Sequence, residues 1–282
     1  MSYVNGNGDV VDIGADPSDI EQAVTDWLDD HPDATTTVTD GSLTTSKLSQ
    51  SAYMQVGDLT DIGRMIINGT ITKIDFIGNS VVAGVGGTGY DGNHLAPSPN
   101  STGYCFTNVM RKYLAEKYGC TVVNQGMSGA SIEDIEVYMN TIFSTGSQCA
   151  IYFADINDRN SSAEWNTFMS HLPGFITTAL GKVKYFAVIP QYPTRSDLAV
   201  SSSDADAFIA GATMERCYYG SLRKKWLDYI TIHGLTTLAL TADAYHPNDL
   251  GYYHMWKMVC EMLGIPYDPS TDYSVNGDWW VS

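Results

Sequence analysis

The rhythm of apolar and polar positions changes near residue 71. Before it, Ile20, Ala23, Val24, Trp27 and Leu28 recur at helical intervals. Ser18 and Glu21 stand at capping-box spacing, Pro17 lies just outside, and Pro32 stops the run. A short amphipathic helix is expected, and at about a dozen residues it needs a surface to pack on. Residues 33–50 are rich in Thr and Ser around Asp40-Gly41, the composition of a linker or of a small hairpin turned at Asp-Gly.

After residue 71 the pattern alternates between short apolar runs and longer helical periods. Strands are predicted at Ile71–Ile77, Thr121–Asn124, Cys149–Ala154 and Val183–Pro190, with a further short apolar run at Tyr229–Ile232. Helices are predicted over Thr107–Lys117, Ser131–Phe143, Ser162–Leu180, Ala205–Trp226 and Asn248–Leu263. This alternation implies a parallel sheet covered by helices on both faces, with chemistry gathered where strands run into loops at their carboxyl ends.

Composition narrows the function classes. The 282 residues carry 32 acidic and 15 basic side chains, a formal charge of −17. That charge opposes binding to nucleic acid or to anionic membrane surfaces. Residues 1–70 hold twelve of the acids and only Lys47 and Arg64 as bases, which divides the chain into an acidic extension, 1–70, and a main domain, 71–282. No apolar run approaches the length of a membrane span, and the amino terminus shows no secretory signal, so a soluble protein is expected. Cys105, Cys120, Cys149, Cys217 and Cys260 are scattered and form no C-x-x-C pair; buried free thiols are expected rather than a disulfide or a metal site.

The predicted strand ends carry a consistent set of residues. Gly78-Asn79-Ser80 follows the first strand, placing a serine hydroxyl at a crevice with its N–H near a helix start, where it can help hold an oxyanion. Asn124-Gln125-Gly126-Met127-Ser128-Gly129 follows the second, and its glycines can turn tightly and present N–H groups. Asp155-Ile156-Asn157-Asp158 follows the third, with an amide available on Asn157. Asp243 and His246, three apart on one loop, can set a carboxylate against an imidazole. These are the parts needed for acyl transfer. Ser128 imitates a nucleophile elbow, but Ala130 breaks the Gly-x-Ser-x-Gly pattern. His31, His94, His171, His233 and His254 lack a partnered motif and read as structural, and Trp279-Trp280 reads as packing for the tail.

Together these blocks resemble the SGNH or GDSL hydrolase family of esterases, lipases and acetylhydrolases, over residues 73–264. The resemblance implies a three-layer α/β/α, flavodoxin-like fold with a central parallel sheet. It assigns Ser80 as nucleophile, His246 as general base and Asp243 as the acid of the triad. It places Gly126 and Asn157 beside the Ser80 N–H in the oxyanion hole, and calls for no metal or organic cofactor. Two positions depart from the family pattern: Asn79 replaces an aspartate, and Asp155 replaces a glycine. The Asp155 charge is expected to narrow the acyl pocket or disfavour anionic substrates. Asn79, Asp155 and Arg195 are candidate substrate contacts, although Arg195 reads more readily as a solvated loop residue.

The expected reaction is hydrolysis of a small acyl ester, preferably an acetyl group on a glycan. The alternatives are a glycan-binding adhesin without turnover, or a lysophospholipase or thioesterase on the same scaffold. The stretch from Asp26 to Ser42 resembles segments of phage and prophage tail and baseplate proteins. That resemblance implies that residues 18–50 tether the enzyme to a virion or join copies of it, so that it acts outside the cell.

Overall fold

The computed structural model describes residues 2–4, 10–12, 59–92, 95–97, 103–193, 198–212, 217–243, 245–268 and 272–276. The expected helix at Ile20–Leu28, the 33–50 linker, Arg195 and Trp279-Trp280 lie outside these residues. The chain divides into two units, Met1–Gln55 and Val56–Ser282. In the first, Ser2–Val4 (β1) pairs antiparallel with Val10–Asp12 (β2).

The second unit is built on a five-stranded sheet whose pairings are all parallel. Its strands are Lys73–Gly78 (β3), Thr121–Gly126 (β4), Cys149–Ala154 (β5), Tyr185–Pro190 (β6) and Cys217–Tyr219 (β7). Successive side chains of a strand point to opposite faces, so each central strand must be apolar on both. Ile74, Phe76, Ile151, Phe153, Ala187 and Ile189 accordingly enter one core layer, and Ile77, Ala150, Tyr152, Ala154, Phe186 and Val188 the other.

Helices cover both layers. On the first lie Thr60–Ile67 (α1), Phe106–Tyr118 (α3), Leu222–Ile232 (α8) and Asp249–Met262 (α9), contributing Ile62, Met110, Trp226 and Trp256 among others. Facing the second are Ile132–Val137 (α4), Met139–Ile142 (α5), Ser162–Leu180 (α6) and Ser202–Gly211 (α7). The remaining helix, Ser80–Ala83 (α2), sits at the carboxyl end of β3. Among the described residues no helix is long and apolar enough to cross a membrane. All five cysteines are buried, as expected.

The strand order is β4-β3-β5-β6-β7, the 2-1-3-4-5 arrangement of doubly wound sheets. The order of strand addition reverses between β3 and β5, which opens a crevice at their carboxyl ends. Ser80 follows one of these strands and Asn157 the other.

Four sequence expectations differ from the structure. The segment expected as one helix, Ala205–Trp226, contains the end of α7, strand β7 and the start of α8. Ser221 caps α8 by accepting the Lys224 N–H at 3.0 Å, which restarts the helix. The apolar run Tyr229–Ile232 is the last turn of α8, because Leu222 and Trp226 on that helix already bury its apolar face and leave Ile232 exposed. The division between units falls before Val56 rather than at 71, and α1 belongs to the larger one because Leu59, Ile62 and Ile66 enter its core. The expected helix Ser131–Phe143 is interrupted at Tyr138.

Candidate active site

The nucleophile candidate is held by its own turn. Asn79 caps α2, its Oδ1 accepting the Val81 N–H at 3.1 Å, and Gly84 closes the helix in the left-handed region at φ +104. Asn79 is buried and its amide oxygen is committed to this cap, so it shapes the turn that carries Ser80. Asn124 fastens the same turn to β4: its Nδ2 donates to Val82 O at 3.0 Å while its Oδ1 accepts the Gly126 N–H at 2.9 Å. Gly126 lies so close that a Cβ there would stand 2.2 Å from Ala83 N. Its glycine character serves backbone packing, and its N–H is donated to Asn124 Oδ1.

The acid–base loop is equally constrained. Thr241 bridges Pro247, and the Ala242 N–H donates to His246 O at 2.8 Å. Asp243 Oδ1 accepts the N–H groups of Tyr245 and His246 at 2.6 and 2.7 Å, leaving Oδ2 to meet His246 Nδ1 at 2.8 Å. A carboxylate can only accept, so Nδ1 is the donor to Oδ2, and in the neutral ring Nε2 is then the acceptor. That Nε2 stands 3.0 Å from Ser80 Oγ. Burial pushes the Asp243 carboxyl up, but hydrogen bonds from His246 and the two N–H groups outweigh it and hold its pKa below the usual value.

Several supports of this loop carry no motif in the sequence. The Tyr192 hydroxyl donates to Tyr245 O, with its ring stacked on Trp226 at 4.4 Å. Thr88 donates through N and Oγ1 to Asp249 at 2.8 and 2.6 Å. Gly86, at φ +92, passes so near that a Cβ would lie 2.4 Å from Pro247 O and 3.0 Å from His246 Cβ.

At the end of β5 stands Asp155. The Asp155 side chain is buried, paired with Arg159 Nε at 2.9 Å, and also accepts the Gln191 N–H at 3.3 Å. Burial, opposed by Arg159 and by the Gln191 N–H, raises its carboxyl to about 6. Asn157 is half-buried, and its Nδ2 donates to Ala130 O at 2.8 Å, so one of its two amide protons remains. Asp158 accepts the Ile132 N–H at 2.8 Å.

Asn157 and Asp158 thus grip the Met127–Ile132 loop, whose other end is tied by the Met127 N–H to Gly78 O at 2.9 Å. Tyr90 shares a hydrogen bond with Ser128 of the same loop. Within it Gly129 lies at φ +76 with open space where a Cβ would be, and its N–H meets no described residue. The remaining described histidines have other partners: His171 pairs with Glu136, His254 meets the Tyr229 hydroxyl at 2.7 Å and stacks on its ring, and His233 lies 4.4 Å from the same ring.

No family model and no curated protein matches the chain. Solved structures do. The acetylxylan esterase Axe2 from Geobacillus stearothermophilus is 16% identical with a TM-score of 0.57, over 71% of this chain and 97% of that one. A tryptophan-to-isoleucine variant of the same esterase aligns over 77% of this chain and 100% of its own at 15% identity and a TM-score of 0.55. LAE5, an alpha/beta hydrolase enzyme from the metagenome of Lake Arreo in Spain, is 17% identical with a TM-score of 0.54, over 70% and 97%. The second unit therefore has the three-layer α/β/α fold of these proteins, with its parallel sheet between two helical layers.

Proposed function

We propose that the protein is a serine carboxylic-ester hydrolase that removes small acyl groups, acetyl above all, from a carbohydrate. The observation that carries this reading is the continuous hydrogen-bond chain Ser80–His246–Asp243, with steps of 3.0 and 2.8 Å, at the crevice where the strand order reverses. A structural role requires no such chain, whereas proton removal from a serine hydroxyl does.

In this mechanism His246 Nε2 takes the Ser80 proton as Oγ attacks the ester carbonyl, and Asp243 stabilises the imidazolium that forms. The developing oxyanion is received by the Ser80 N–H, which at the first position of α2 has no intrahelical partner, and by the remaining Asn157 amide proton. Gly129, with its unengaged N–H on the loop bonded to Asn157, is a better third donor than Gly126. His246 returns the proton to the departing alcohol, and water resolves the acyl-enzyme by the same steps. The acyl and sugar preference draws its support from the acetylxylan esterases that share the fold.

The test is turnover of p-nitrophenyl esters of increasing acyl length, followed by acetate release from acetylated polysaccharides. Ser80→Ala and His246→Ala should each lower acetyl-ester turnover by about 10³-fold or more. Undiminished turnover in purified Ser80→Ala overturns the assignment. Residues 18–50, which lie outside the described residues, are proposed as a tether or oligomerisation segment. A monomeric mass unchanged by Trp27→Asp counts against the oligomer.

A further inference from the structure

Among the described residues, Asp155 is the one non-glycine whose backbone lies in the left-handed region, at φ +88. A side chain there carries a steric cost that glycine escapes. Such a conformation persists only where its surroundings over-determine it, and at Asp155 they do. Arg159 Nε donates to Oδ1 at 2.9 Å, the Gln191 N–H donates to Oδ2 at 3.3 Å, and the Arg159 N–H closes the turn on the Asp155 carbonyl at 3.1 Å. The paired side chains are 1% and 2% exposed. Arg159 is itself anchored, its carbonyl accepting the Ala199 N–H at 2.9 Å.

The turn closed in this way is short, and both polar residues inside it face outward to the neighbouring loop. Asn157 reaches Ala130 O and Asp158 reaches the Ile132 N–H, so the course of the turn decides where the Asn157 amide points. We propose that Asp155 and Arg159 are a positioning pair: their buried ion pair holds the left-handed turn that aims the Asn157 amide at the reacting carbonyl. The proposal rests on reading Asn157 as an oxyanion donor. Neither member of the pair touches the substrate. The pair does with charge what a glycine at position 155 would do with conformational freedom.

This makes a rescue prediction that simple structural importance does not. Arg159→Leu alone strands a buried carboxylate at a strained position, the costly half of breaking a buried pair. Adding Asp155→Gly removes the stranded charge and the strain together, and a buried pair replaced by apolar packing is often tolerated. In the full chain, Arg159→Leu should lower kcat on p-nitrophenyl acetate by about 10–100-fold, the range for a misaligned catalytic group, with KM within about twofold. Its unfolding midpoint should fall by about 10 °C. The double variant Asp155→Gly/Arg159→Leu should regain kcat to within about threefold of the parent and most of the midpoint.

Wild-type kcat and midpoint in Arg159→Leu, or a double variant no better than Arg159→Leu, overturns the proposal. Should the parent hydrolyse no ester, the reading of Asn157 as an oxyanion donor falls. The pair is then judged by the Asn157 side-chain amide resonances. Displacement in Arg159→Leu that reverses in the double variant supports it, and resonances unmoved in Arg159→Leu overturn it.

Discussion

On the proposed mechanism, replacing Asp243 by Asn isolates what the acid does for the base. In the parent, Oδ1 accepts two backbone N–H groups while Oδ2 fixes the proton on His246 Nδ1. An asparagine can keep the backbone bonds through its oxygen, but it then presents an NH₂ group to Nδ1. The imidazole must turn Nδ1 into an acceptor, which moves its proton to Nε2, the atom 3.0 Å from Ser80 Oγ. The base is then already protonated on the atom that has to receive the serine proton.

The electrostatic share follows from the 2.8 Å separation of Oδ2 and Nδ1. Unit charges at that distance attract by about 1.5 kcal/mol in a water-like medium and about 6 kcal/mol at an effective dielectric of about 20. The Asp243 side chain is 54% exposed and His246 22% exposed, so screening places the pair between these limits. A value of about 3–4 kcal/mol corresponds to about 10²–10³-fold in rate. Asp243→Ala loses this attraction but leaves the tautomer free to exchange, and should lower kcat on p-nitrophenyl acetate by about 10²-fold. Asp243→Asn loses it and also locks the wrong tautomer, and should fall by about 10³-fold or more. The reasoning is refuted if both variants stay within tenfold of the parent, or if Ala is the more damaging.

Other consequences can be measured alongside. Gly126→Ala should destabilise the domain by about 1–3 kcal/mol, because the new Cβ meets backbone at Ala83 rather than a yielding side chain; Gly129→Ala has open space but an unfavourable φ, and should act mainly on kcat. Comparing thermal midpoints and turnover of the two separates packing from chemistry. Burial raises the Asp158 carboxyl to about 7, so the folded chain holds a proton there that the unfolded chain releases near its ordinary value. Unfolding then releases protons between about pH 4 and 7, and this group's contribution to stability falls as pH rises through that window. Asp158→Asn, which retains an oxygen for the Ile132 N–H, should flatten that slope and raise the midpoint at pH 8 by about 5 °C, with little change at pH 4. An equal effect at both pH values refutes the assignment. Tyr192→Phe removes the bond to Tyr245 O while keeping the stack on Trp226, and should lower kcat by about threefold to tenfold with an unchanged midpoint.

Those parts of the fold that follow from local pattern are legible in the amino-acid sequence. Cys149–Ala154 and Ser162–Leu180 appear at the expected boundaries because one is an unbroken apolar run and the other a long helical period opened by a serine cap. The geometry at Ser80, Asp243 and His246 is equally accessible, since each stands beside a strand end or within a few residues of its partner. What escapes depends on tertiary context. Strand β7 is three residues long, too short to outweigh the helical period on either side. Gly126 and Gly129 are alike as letters, and only the course of β4 shows that one ends a strand against Ala83 while the other stands in the open. Asp155 reads as a charge beside the site, because nothing local says that Arg159 and Gln191 will enclose it. Tyr192 and Thr88 support the acid–base loop from 53 and 161 residues away, distances at which no spacing rule operates.

The same separation bears on how activity is acquired. Asp243 and His246 are three residues apart and can find one another within a single loop, but Ser80 and His246 are separated by 166 residues. Contacts of such long range come at a large chain-entropy cost and tend to close late, after local elements have formed. Helicity and sheet content should therefore return before ester turnover in a refolding experiment. The Ser80–His246 hydrogen bond then serves as a clock for the last event in folding, the docking of the His246 loop and α9 onto the carboxyl end of β3.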